Sequence, residues 1–360
     1  INVRQREVRP MRTREFGAGS RYSVRLAEGC RICKQGAKMV LLVTGKCNTG
    51  CFYCPISARK RGRDLIFANE LKASNMEEVL QEARMIGARG TGITGGDPVF
   101  VLERTLTHIR ALKEAFGPRH HIHLYTSNID RDAYLQLVEA GLDELRIHPA
   151  PATWAQPARA GLAEAVKDLG IPTGIEVPAI PGRGGELRTL LEYCAASGFD
   201  FANLNELEFS ETNAVRMRNQ GFRVKGDLSA AAAGSEEMAL DLVETVRGIP
   251  VHYCSSSFKD SVQLRRRLQR RARRIALPSD LITDDGTLLK GVIEKDIVLA
   301  QELLREEGVP RRLVRLDPEK HRLEVAPWVL EELASSLPMP SFIVEEYPTA
   351  DRLEVERRRL

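Results

Sequence analysis

Cys47-Asn48-Thr49-Gly50-Cys51-Phe52-Tyr53-Cys54 places three thiols within eight residues of one another. The stretch follows residues 39–44, an apolar run that predicts a buried strand. Gly45 and Gly50 allow the backbone to turn tightly around a compact group. Three thiolates at one strand end favour an iron–sulfur cluster over a closed zinc site, which normally takes four ligands. A four-iron cluster held by Cys47, Cys51 and Cys54 leaves one iron free to bind a substrate or a cofactor.

The spacing Cys-x3-Cys-x2-Cys, with Tyr53 directly before the last cysteine, closely resembles the signature of the radical S-adenosylmethionine enzymes. The resemblance covers about residues 38–255. It implies a 4Fe–4S cluster on Cys47, Cys51 and Cys54, whose open iron chelates the amino and carboxylate groups of S-adenosylmethionine. It also implies reductive cleavage of that molecule to methionine and a 5'-deoxyadenosyl radical, which abstracts a hydrogen atom from a substrate.

Composition limits the class of protein. The chain has 360 residues, 43% of them hydrophobic, which is enough for one large domain and an appendage. No run of eighteen apolar residues occurs, and residues 1–16 are arginine-rich without an apolar segment, so we expect neither a membrane span nor a secretory signal. Seven cysteines, three of them clustered, indicate metal ligands in a reducing cytoplasm rather than disulfides. The net charge of +4 allows an anionic partner without requiring one.

From residue 39 onward, predicted strands alternate with predicted amphipathic helices. The strands are predicted at residues 39–44, 91–94, 121–126, 144–148, 173–178, 200–206 and 250–254. The helices are predicted at residues 76–86, 103–116, 131–140, 157–169, 187–197 and 236–247, each stopped by a glycine. This alternation predicts an α/β fold with parallel strands, a partial (βα)6 TIM-like barrel over residues 38–255. Residues 1–37 are expected to form an N-terminal extension, and residues 256–360 a basic helix and a small α+β domain.

In such a barrel the chemistry collects where the strands end, and the resemblance implies contacts with S-adenosylmethionine for residues found there. Gly95, Gly96 and Asp97 resemble the Gly-Gly-Glu element that binds the methionine amino group, although the acid here is one methylene shorter. An ordinary strand-to-helix turn is the alternative for these three, and an interior ion pair is the alternative for Arg146. The other expected contacts are Tyr53 to adenine, Ser127 and Asn128 to ribose or methionine, Arg146 to the methionine carboxylate, and Glu176 and Asn205 to the nucleoside hydroxyls.

Three further cysteines form a second candidate metal site. Cys30 and Cys33 make a Cys-x2-Cys pair before the barrel, and Cys254 ends the last predicted strand. We expect the N-terminal segment to fold over the carboxyl-terminal mouth of the barrel, where the three thiols would bind a second iron–sulfur cluster. The alternatives are zinc with a fourth ligand such as His252, and free buried thiols.

Residues 265–274 are dominated by arginine and predict a helix with one apolar stripe, Leu264, Leu268, Ala272 and Ile275. We expect its guanidinium groups to be able to bind phosphates, and therefore RNA, although a solvated or acid-paired helix face is the alternative. These arginines are Arg265, Arg266, Arg267, Arg270, Arg271, Arg273 and Arg274. Beyond them, residues 293–307 and 327–336 are predicted as helices, and residues 311–316, 321–325, 342–347 and 353–358 as strands.

The sequence therefore predicts a radical S-adenosylmethionine enzyme that takes electrons from a donor such as ferredoxin or flavodoxin. The chain also resembles an archaeal-type group related to pyruvate formate-lyase activating enzyme, through its Cys-x2-Cys pair, Thr94-Gly95-Gly96-Asp97-Pro98, Asn203-Leu204-Asn205-Glu206-Leu207-Glu208-Phe209 and Glu346-Tyr347-Pro348-Thr349. RNA modification, in particular of transfer RNA, is the first substrate hypothesis. Modification of a protein, including activation of a glycyl-radical enzyme, is the second. A non-catalytic iron–sulfur electron-transfer protein is the rival from another class.

Overall fold

The computed structural model describes residues 12–227 and 229–360. The chain divides into two compact units. The first runs to Gln263 apart from Arg84–Gly87, and the second comprises that short segment and Leu264–Leu360. The predicted barrel lies in the first unit, and most of the predicted α+β domain lies in the second.

The first unit is built on an open β-sheet. Its strands are β1 (Arg14–Gly17), β2 (Ser20–Tyr22), β3 (Lys38–Leu42), β4 (Ile66–Ala68), β5 (Leu71–Ala73), β6 (Gly90–Thr94), β7 (His121–Thr126), β8 (Glu144–Ile147), β9 (Thr173–Ala179), β10 (Phe201–Glu206), β11 (Val224–Gly226), β12 (Ser229–Ala232) and β13 (Val251–Cys254). Parallel pairing gives the order β13-β10-β9-β8-β7-β6-β3. Strands β11 and β12 form a separate antiparallel ribbon.

These parallel strands are the ones that the sequence predicted, with bounds that differ by a few residues. At one end of their row, β3 pairs antiparallel with β4, which pairs with β5. At the other end, β13 pairs antiparallel with β2, which pairs with β1. The two ends of the row carry these short hairpins and do not pair with each other. The sheet is therefore a partial barrel, as predicted.

Helices follow the parallel strands, as expected for successive βαβ units. The helices of the first unit are α1 (Glu28–Lys34), α2 (Met76–Met85), α3 (Leu102–Phe116), α4 (Arg131–Glu139), α5 (Leu162–Val166), α6 (Gly184–Ala196), α7 (Ala214–Asn219), α8 (Ser235–Thr245) and α9 (Ser256–Phe258). The prediction of one helix over residues 157–169 was wrong. A 3-10 turn, Pro157–Ala160, is separated from α5 by Gly161, whose φ of 68° lies in the left-handed region.

Helix α1 corrects the expected course of the N-terminal segment. The backbone N–H of Gly29 donates to Oε2 of Glu144, the first residue of β8, at 3.1 Å. A methyl group at Gly29 would lie 2.3 Å from Nδ1 of His123 in β7. The helix therefore packs against the amino-terminal parts of the strands and not over their carboxyl-terminal mouth. That prediction was wrong, because the link between the Cys-x2-Cys pair and β3 is too short to cross the sheet.

The second unit contains an antiparallel sheet and helices packed against it. Its strands are β14 (Leu281–Ile282), β15 (Leu288–Ile293), β16 (Val314–Asp317), β17 (Arg322–Val325), β18 (Ser341–Glu346) and β19 (Glu354–Arg359), and its helices are α10 (Arg265–Ile275), α11 (Ile297–Glu306) and α12 (Pro327–Leu333). The strand order is β16-β17-β15-β18-β19. Ile293, Leu323 and Val325 pack against Leu304 of α11 and Leu330 of α12 in an apolar core. Strand β15 was missed by the sequence analysis.

Charged side chains are buried elsewhere in this sheet. Arg322 of β17 donates to Glu324 and to Glu346, both at 2.8 Å. Lys290 of β15 donates to Glu324 at 3.0 Å, and Arg352 pairs with Asp317 at 2.7 Å. We call Lys290, Asp317, Arg322, Glu324, Glu346 and Arg352 the ionic cluster. Each buried cation in it has at least one carboxylate within 3.0 Å, which compensates for its removal from water.

The arginine-rich helix α10 exposes fewer of its arginines than expected. Arg271 is buried and donates to the carbonyl oxygen of Pro348. Arg270 donates to the carbonyl oxygen of Ile86 at 3.1 Å, and Arg265 donates to that of Asp284 at 3.0 Å. These guanidinium groups bind protein acceptors. The expectation that all seven arginines lie off the buried face was wrong for Arg271.

No helix in the described ranges is both long enough and apolar enough to span a bilayer.

Candidate functional site

The interior of the barrel holds a cavity of about 830 Å³. Its lining contains the three cysteines of the loop after β3 and three cysteines from elsewhere in the chain. These are Cys47, Cys51, Cys54, Cys30, Cys33 and Cys254. Cys194, by contrast, is buried within α6. The fold thus gathers the two cysteine sets that the sequence separates.

Residues 47–54, the cysteine loop, are organised by short-range hydrogen bonds. The Thr49 hydroxyl lies 2.9 Å from Sγ of Cys47 and 3.8 Å from Sγ of Cys51. The Asn48 amide donates to Oδ1 of Asn128 at 2.9 Å, joining the loop to the end of β7. Asn128 therefore supports the cysteine loop in this structure, and its predicted contact with S-adenosylmethionine stays a prediction.

Tyr53 and His148 form a polar pair beside Cys51. The Tyr53 hydroxyl lies 2.8 Å from Nε2 of His148, whose Nδ1 lies 2.8 Å from the carbonyl oxygen of Glu176. Burial raises the pKa of the Cys51 thiol, but hydrogen bonds from His148 and Tyr53 outweigh it and lower that pKa to about 7. Because metal ligands are thiolates, this environment prepares Cys51 for ligation.

A segment after β10 holds the cysteine loop from outside; we call residues 210–222 the clamp segment. Buried Asn213 donates to the carbonyl oxygen of Tyr53 at 2.9 Å. Thr212 donates to the carbonyl oxygen of Ile56 at 2.9 Å, and Arg216 donates to that of Cys51 at 3.3 Å. The ring of Phe222 also stacks on that of Phe52, with centroids 5.7 Å apart. The backbone of the loop is therefore fixed independently of any bound group.

The glycine pair after β6 lies directly against this loop. The N–H of Gly96 donates to the carbonyl oxygen of Thr44 at 2.7 Å. A methyl group at Gly96 would lie 2.0 Å from the carbonyl oxygen of Lys46. Gly95 and Gly96 both line the cavity, so these glycines let two backbone segments meet at its wall.

Both carboxylate oxygens of Asp97 accept hydrogen bonds from other residues of the protein. Its Oδ1 accepts from the Thr126 hydroxyl at 2.8 Å and from the Val99 N–H at 3.0 Å. Its Oδ2 accepts from the N–H and the hydroxyl of Ser127 at 2.7 and 2.6 Å. Asp97 is buried and ties the end of β6 to the end of β7, while Ser127 reaches the cavity lining. A direct contact between Asp97 and a methionine ammonium group stays a prediction.

Arg146 lies in a buried network of acids and amides. Its NH1 donates to Oε2 of Glu176 at 2.6 Å, and its Nε donates to Oε1 of Glu144 at 2.7 Å. Glu176 also accepts from the amides of Asn203 at 3.0 Å and Asn205 at 2.9 Å. Arg146 therefore forms the interior ion pair that was the alternative to a methionine carboxylate contact. Burial opposes ionisation of Glu176, but Arg146 and the two amides outweigh it and lower its pKa.

The second set of thiols adjoins this network. Sγ of Cys30 accepts from NH2 of Arg146 at 3.4 Å and from the Asn203 amide at 3.5 Å. Burial raises the pKa of the Cys33 thiol to about 12, although the ammonium group of Lys38 acts in the opposite direction. Burial also raises the pKa of Cys254, and the nearby Cys33 and Cys30 thiols raise it further. The three thiols thus line one cavity together.

The residues of the cysteine loop suit a 4Fe–4S cluster. Across residues 12–227 and 229–360, no three side chains of His, Cys, Asp or Glu converge in a way that could hold one metal ion. A single zinc ion needs all its donors within about 2.3 Å of one point. The cysteines of a 4Fe–4S cluster bind different iron atoms and stand further apart. Three thiols in a preformed loop beside a large cavity therefore suit such a cluster.

Sequence reasoning missed the residues that support the cysteine loop. Asn213, Arg216 and Thr212 contact residues about 160 positions away, so no local pattern marks them. Lys38 was also missed. A lysine at the start of an apolar strand is a visible sequence signal, because lysine is rarely buried without a partner.

Known protein families match two parts of the chain. The model of the radical SAM superfamily matches residues 41–150, and that of a domain of unknown function, DUF8061, matches residues 286–360. Among solved structures, methylornithine synthase is similar with a TM-score of 0.40 and 16% identity, covering 61% of this chain and 70% of that one. Streptococcus suis SuiB bound to S-adenosylmethionine is similar with a TM-score of 0.41 and 12% identity, covering 61% and 50%.

Curated relatives share more of the sequence. A "Probable GTP 3',8-cyclase" of Methanococcus maripaludis is 28% identical, over 47% of this chain and 57% of its own. A protein of Methanocaldococcus jannaschii named "Putative glycyl-radical enzyme activating enzyme" is 37% identical over 354 residues, which is 92% of each chain. That relative and the family match over the cysteine loop show that this chain belongs to the radical SAM superfamily of enzymes.

Proposed function

We propose that the chain binds a 4Fe–4S cluster through Cys47, Cys51 and Cys54 and abstracts a hydrogen atom from a substrate inside the barrel. One observation carries the proposal. The three thiols line the same cavity as most of the residues expected to contact S-adenosylmethionine. Those residues are Tyr53, Gly95, Gly96, Ser127, Arg146, Glu176 and Asn205.

When bound, the cluster and S-adenosylmethionine supply the radical chemistry. The residues of this chain position the bound groups and exclude water from them. The clamp segment fixes the backbone of the cysteine loop through Asn213, Thr212 and Arg216. Glu176 holds the amide of Asn205 toward the cavity. Packed strands and helix α1 keep bulk water from the amino-terminal end of the interior, which protects a reactive intermediate.

We propose a protein as the substrate, and specifically a glycine-containing loop. The M. jannaschii relative, which matches nearly the whole chain, carries the name of an activator of glycyl-radical enzymes. Because helix α1 occupies the amino-terminal end of the barrel, a substrate loop would enter at the carboxyl-terminal mouth, beside Cys47 and Asn48. Cys47 is exposed there, so a loop can approach the cluster.

RNA modification is the second candidate, and helix α10 offers it less support than the sequence indicated. Arg271 is buried, and Arg270 and Arg265 already bind backbone carbonyl groups. Binding of transfer RNA that weakens steeply with salt, and is lost after charge reversal at Arg273 and Arg274, would restore this candidate.

The deciding experiment is anaerobic reconstitution with iron and sulfide, followed by reduction and addition of S-adenosylmethionine. Dithionite, and then ferredoxin or flavodoxin, would serve as electron donors. We expect 5'-deoxyadenosine from the wild type and from Cys194→Ala, and none from Cys51→Ala. No 5'-deoxyadenosine from wild type with a spectroscopically verified cluster would refute the proposal and leave an electron-transfer protein.

The substrate is tested separately with a glycyl-radical enzyme from the same organism, labelled with deuterated glycine. Deuterium in the recovered 5'-deoxyadenosine, together with a glycyl-radical EPR signal, is the expected result. Deuterium transfer from labelled transfer RNA but not from the protein would contradict the assignment.

A further inference from the structure

Cys30, Cys33 and Cys254 are not used by the chemistry assigned to the cysteine loop, yet they line the same cavity. They come from two separate parts of the fold. Cys30 and Cys33 lie on helix α1, and Cys254 ends strand β13. The register of the sheet places Cys254 beside Asn205 and His252 beside Asn203. Since the Asn203 amide also donates to Cys30, the helix and the strand meet around this asparagine.

His252 lines the same cavity as these thiols. It is 3% exposed, it lines the cavity, and its Nε2 has no hydrogen-bond partner among the described residues. A buried polar nitrogen without a partner destabilises the folded protein unless something binds it. His252 therefore has a donor atom that the rest of the protein leaves available.

The tautomer of His252 follows from its neighbours. A carboxylate only accepts, so the Asn203 atom that lies 3.0 Å from Oε2 of Glu176 is its NH2 group. The other side-chain atom, Oδ1, only accepts, and it lies 3.2 Å from Nδ1 of His252. Nδ1 must therefore carry the proton, and Nε2 keeps its lone pair. Metal-bound histidines are oriented by hydrogen bonds of this kind on the opposite ring nitrogen.

Charge also favours an anionic group at this place. Lys38 is 4% exposed, and its Nζ bonds to the ring of His123. Within the described residues it forms no ion pair with a carboxylate, which is unusual for a buried lysine. Lys38 is the cation that acts most strongly on Cys33. Thiolates at Cys33 and its neighbours would give this ammonium group the counter-charge that it lacks.

We propose that Cys30, Cys33 and Cys254, with Nε2 of His252 as the fourth donor, bind a second iron–sulfur cluster. Ligation releases the three thiol protons and leaves a centre in which every iron has a protein ligand. The three thiols and the imidazole nitrogen line one cavity, and together they match the four protein donors that a 4Fe–4S cluster takes. The site is distinct from the cysteine loop, so its occupancy can be measured when that loop is disabled.

The test is iron content and spectroscopy of the full chain carrying Cys47→Ala, Cys51→Ala and Cys54→Ala together. After anaerobic reconstitution we expect about four irons per chain in this variant and about eight in the wild type. Mössbauer and EPR spectra of the variant would then report the second centre alone. Adding Cys254→Ala, or Cys30→Ala with Cys33→Ala, should remove these irons, whereas Cys194→Ala should not.

Other outcomes overturn the proposal. Iron near zero in the variant without the cysteine loop, with a wild-type thermal unfolding curve, would show free thiols. About one zinc and no iron per chain would show a single-ion site instead. His252→Ala should keep the iron but change its spectrum, and an unchanged spectrum would remove the histidine from the ligand set. Failure here leaves 5'-deoxyadenosine formation intact, so it is distinguishable from failure of the proposed function.

Discussion

Asn213→Ala tests whether the clamp segment positions the cysteine loop. The substitution removes the hydrogen bonds from Asn213 to the carbonyl oxygens of Tyr53 and Glu208, both 2.9 Å, and the acceptor of the Ser210 N–H, 2.7 Å away. The Tyr53 bond is buried, so its loss costs about 1–3 kcal/mol, and the two partly buried bonds cost about 0.5–1.5 kcal/mol each. We expect a loss near 3 kcal/mol, which lowers the unfolding temperature by roughly 10 °C.

The assay combines thermal unfolding with the rate of iron loss from the reconstituted protein to a chelator. We expect both to change, because the lost contact holds the backbone between Cys51 and Cys54. Asn219→Ala, an exposed site on the neighbouring helix α7, is the matched control and should change stability by less than about 0.5 kcal/mol. A lower unfolding temperature with iron loss at the wild-type rate would refute the positioning role.

Three further predictions concern other parts of the chain. Gly96→Ala should reduce 5'-deoxyadenosine formation at least about tenfold, since its methyl group would meet the Lys46 carbonyl at 2.0 Å, whereas Gly185→Ala, in helix α6 with no atom within 4 Å of the added methyl group, should not. Arg322→Met should destabilise the second unit by about 3–5 kcal/mol in calorimetry, because Glu324 and Glu346 lose a buried partner. Burial raises the pKa of Glu346, but Lys290 and Arg322 outweigh burial and lower that pKa from 4.5 to about 2. The ionised Glu346 carboxylate therefore stabilises the folded protein above pH 4.5, and this stabilisation is lost as the pH falls toward 2. Unfolding temperatures measured between pH 6 and pH 2 check this prediction. Glu346→Gln should make the unfolding temperature depend less steeply on pH, and a dependence as steep as that of the wild type would contradict the prediction.

The parallel strands of the barrel could be predicted because they alternate regularly with amphipathic segments that end at glycines. The shortest strands could not be predicted. Strands of three residues, such as Ser20–Tyr22 and Leu71–Ala73, carry too little pattern. Strand β15 was hidden because Lys290 and Gly291 interrupt its apolar sequence. The buried charge of Lys290 is neutralised by the ionic cluster, whose members come from several strands. A local sequence pattern does not show this pairing.

The candidate site was predictable where its residues are local. The cysteine loop is a contiguous motif, and Gly96, Ser127 and Asn205 follow from the rule that barrels place chemistry at strand ends. The role of Arg146 could not be predicted. An interior cation binds either a ligand or the protein's own acids, and here the fold brings Glu144 and Glu176 beside Arg146. The course of α1 was likewise decided by Gly29 fitting against His123.

The ionic cluster gives the second unit a particular response to heat. Hydration of charged groups becomes less favourable as temperature rises, so the cost of withdrawing Arg322 and Glu324 from water falls on heating. Hydrophobic stabilisation of the core around Leu330, in contrast, levels off. A sheet built on both therefore keeps more of its stability on heating than one with two apolar faces.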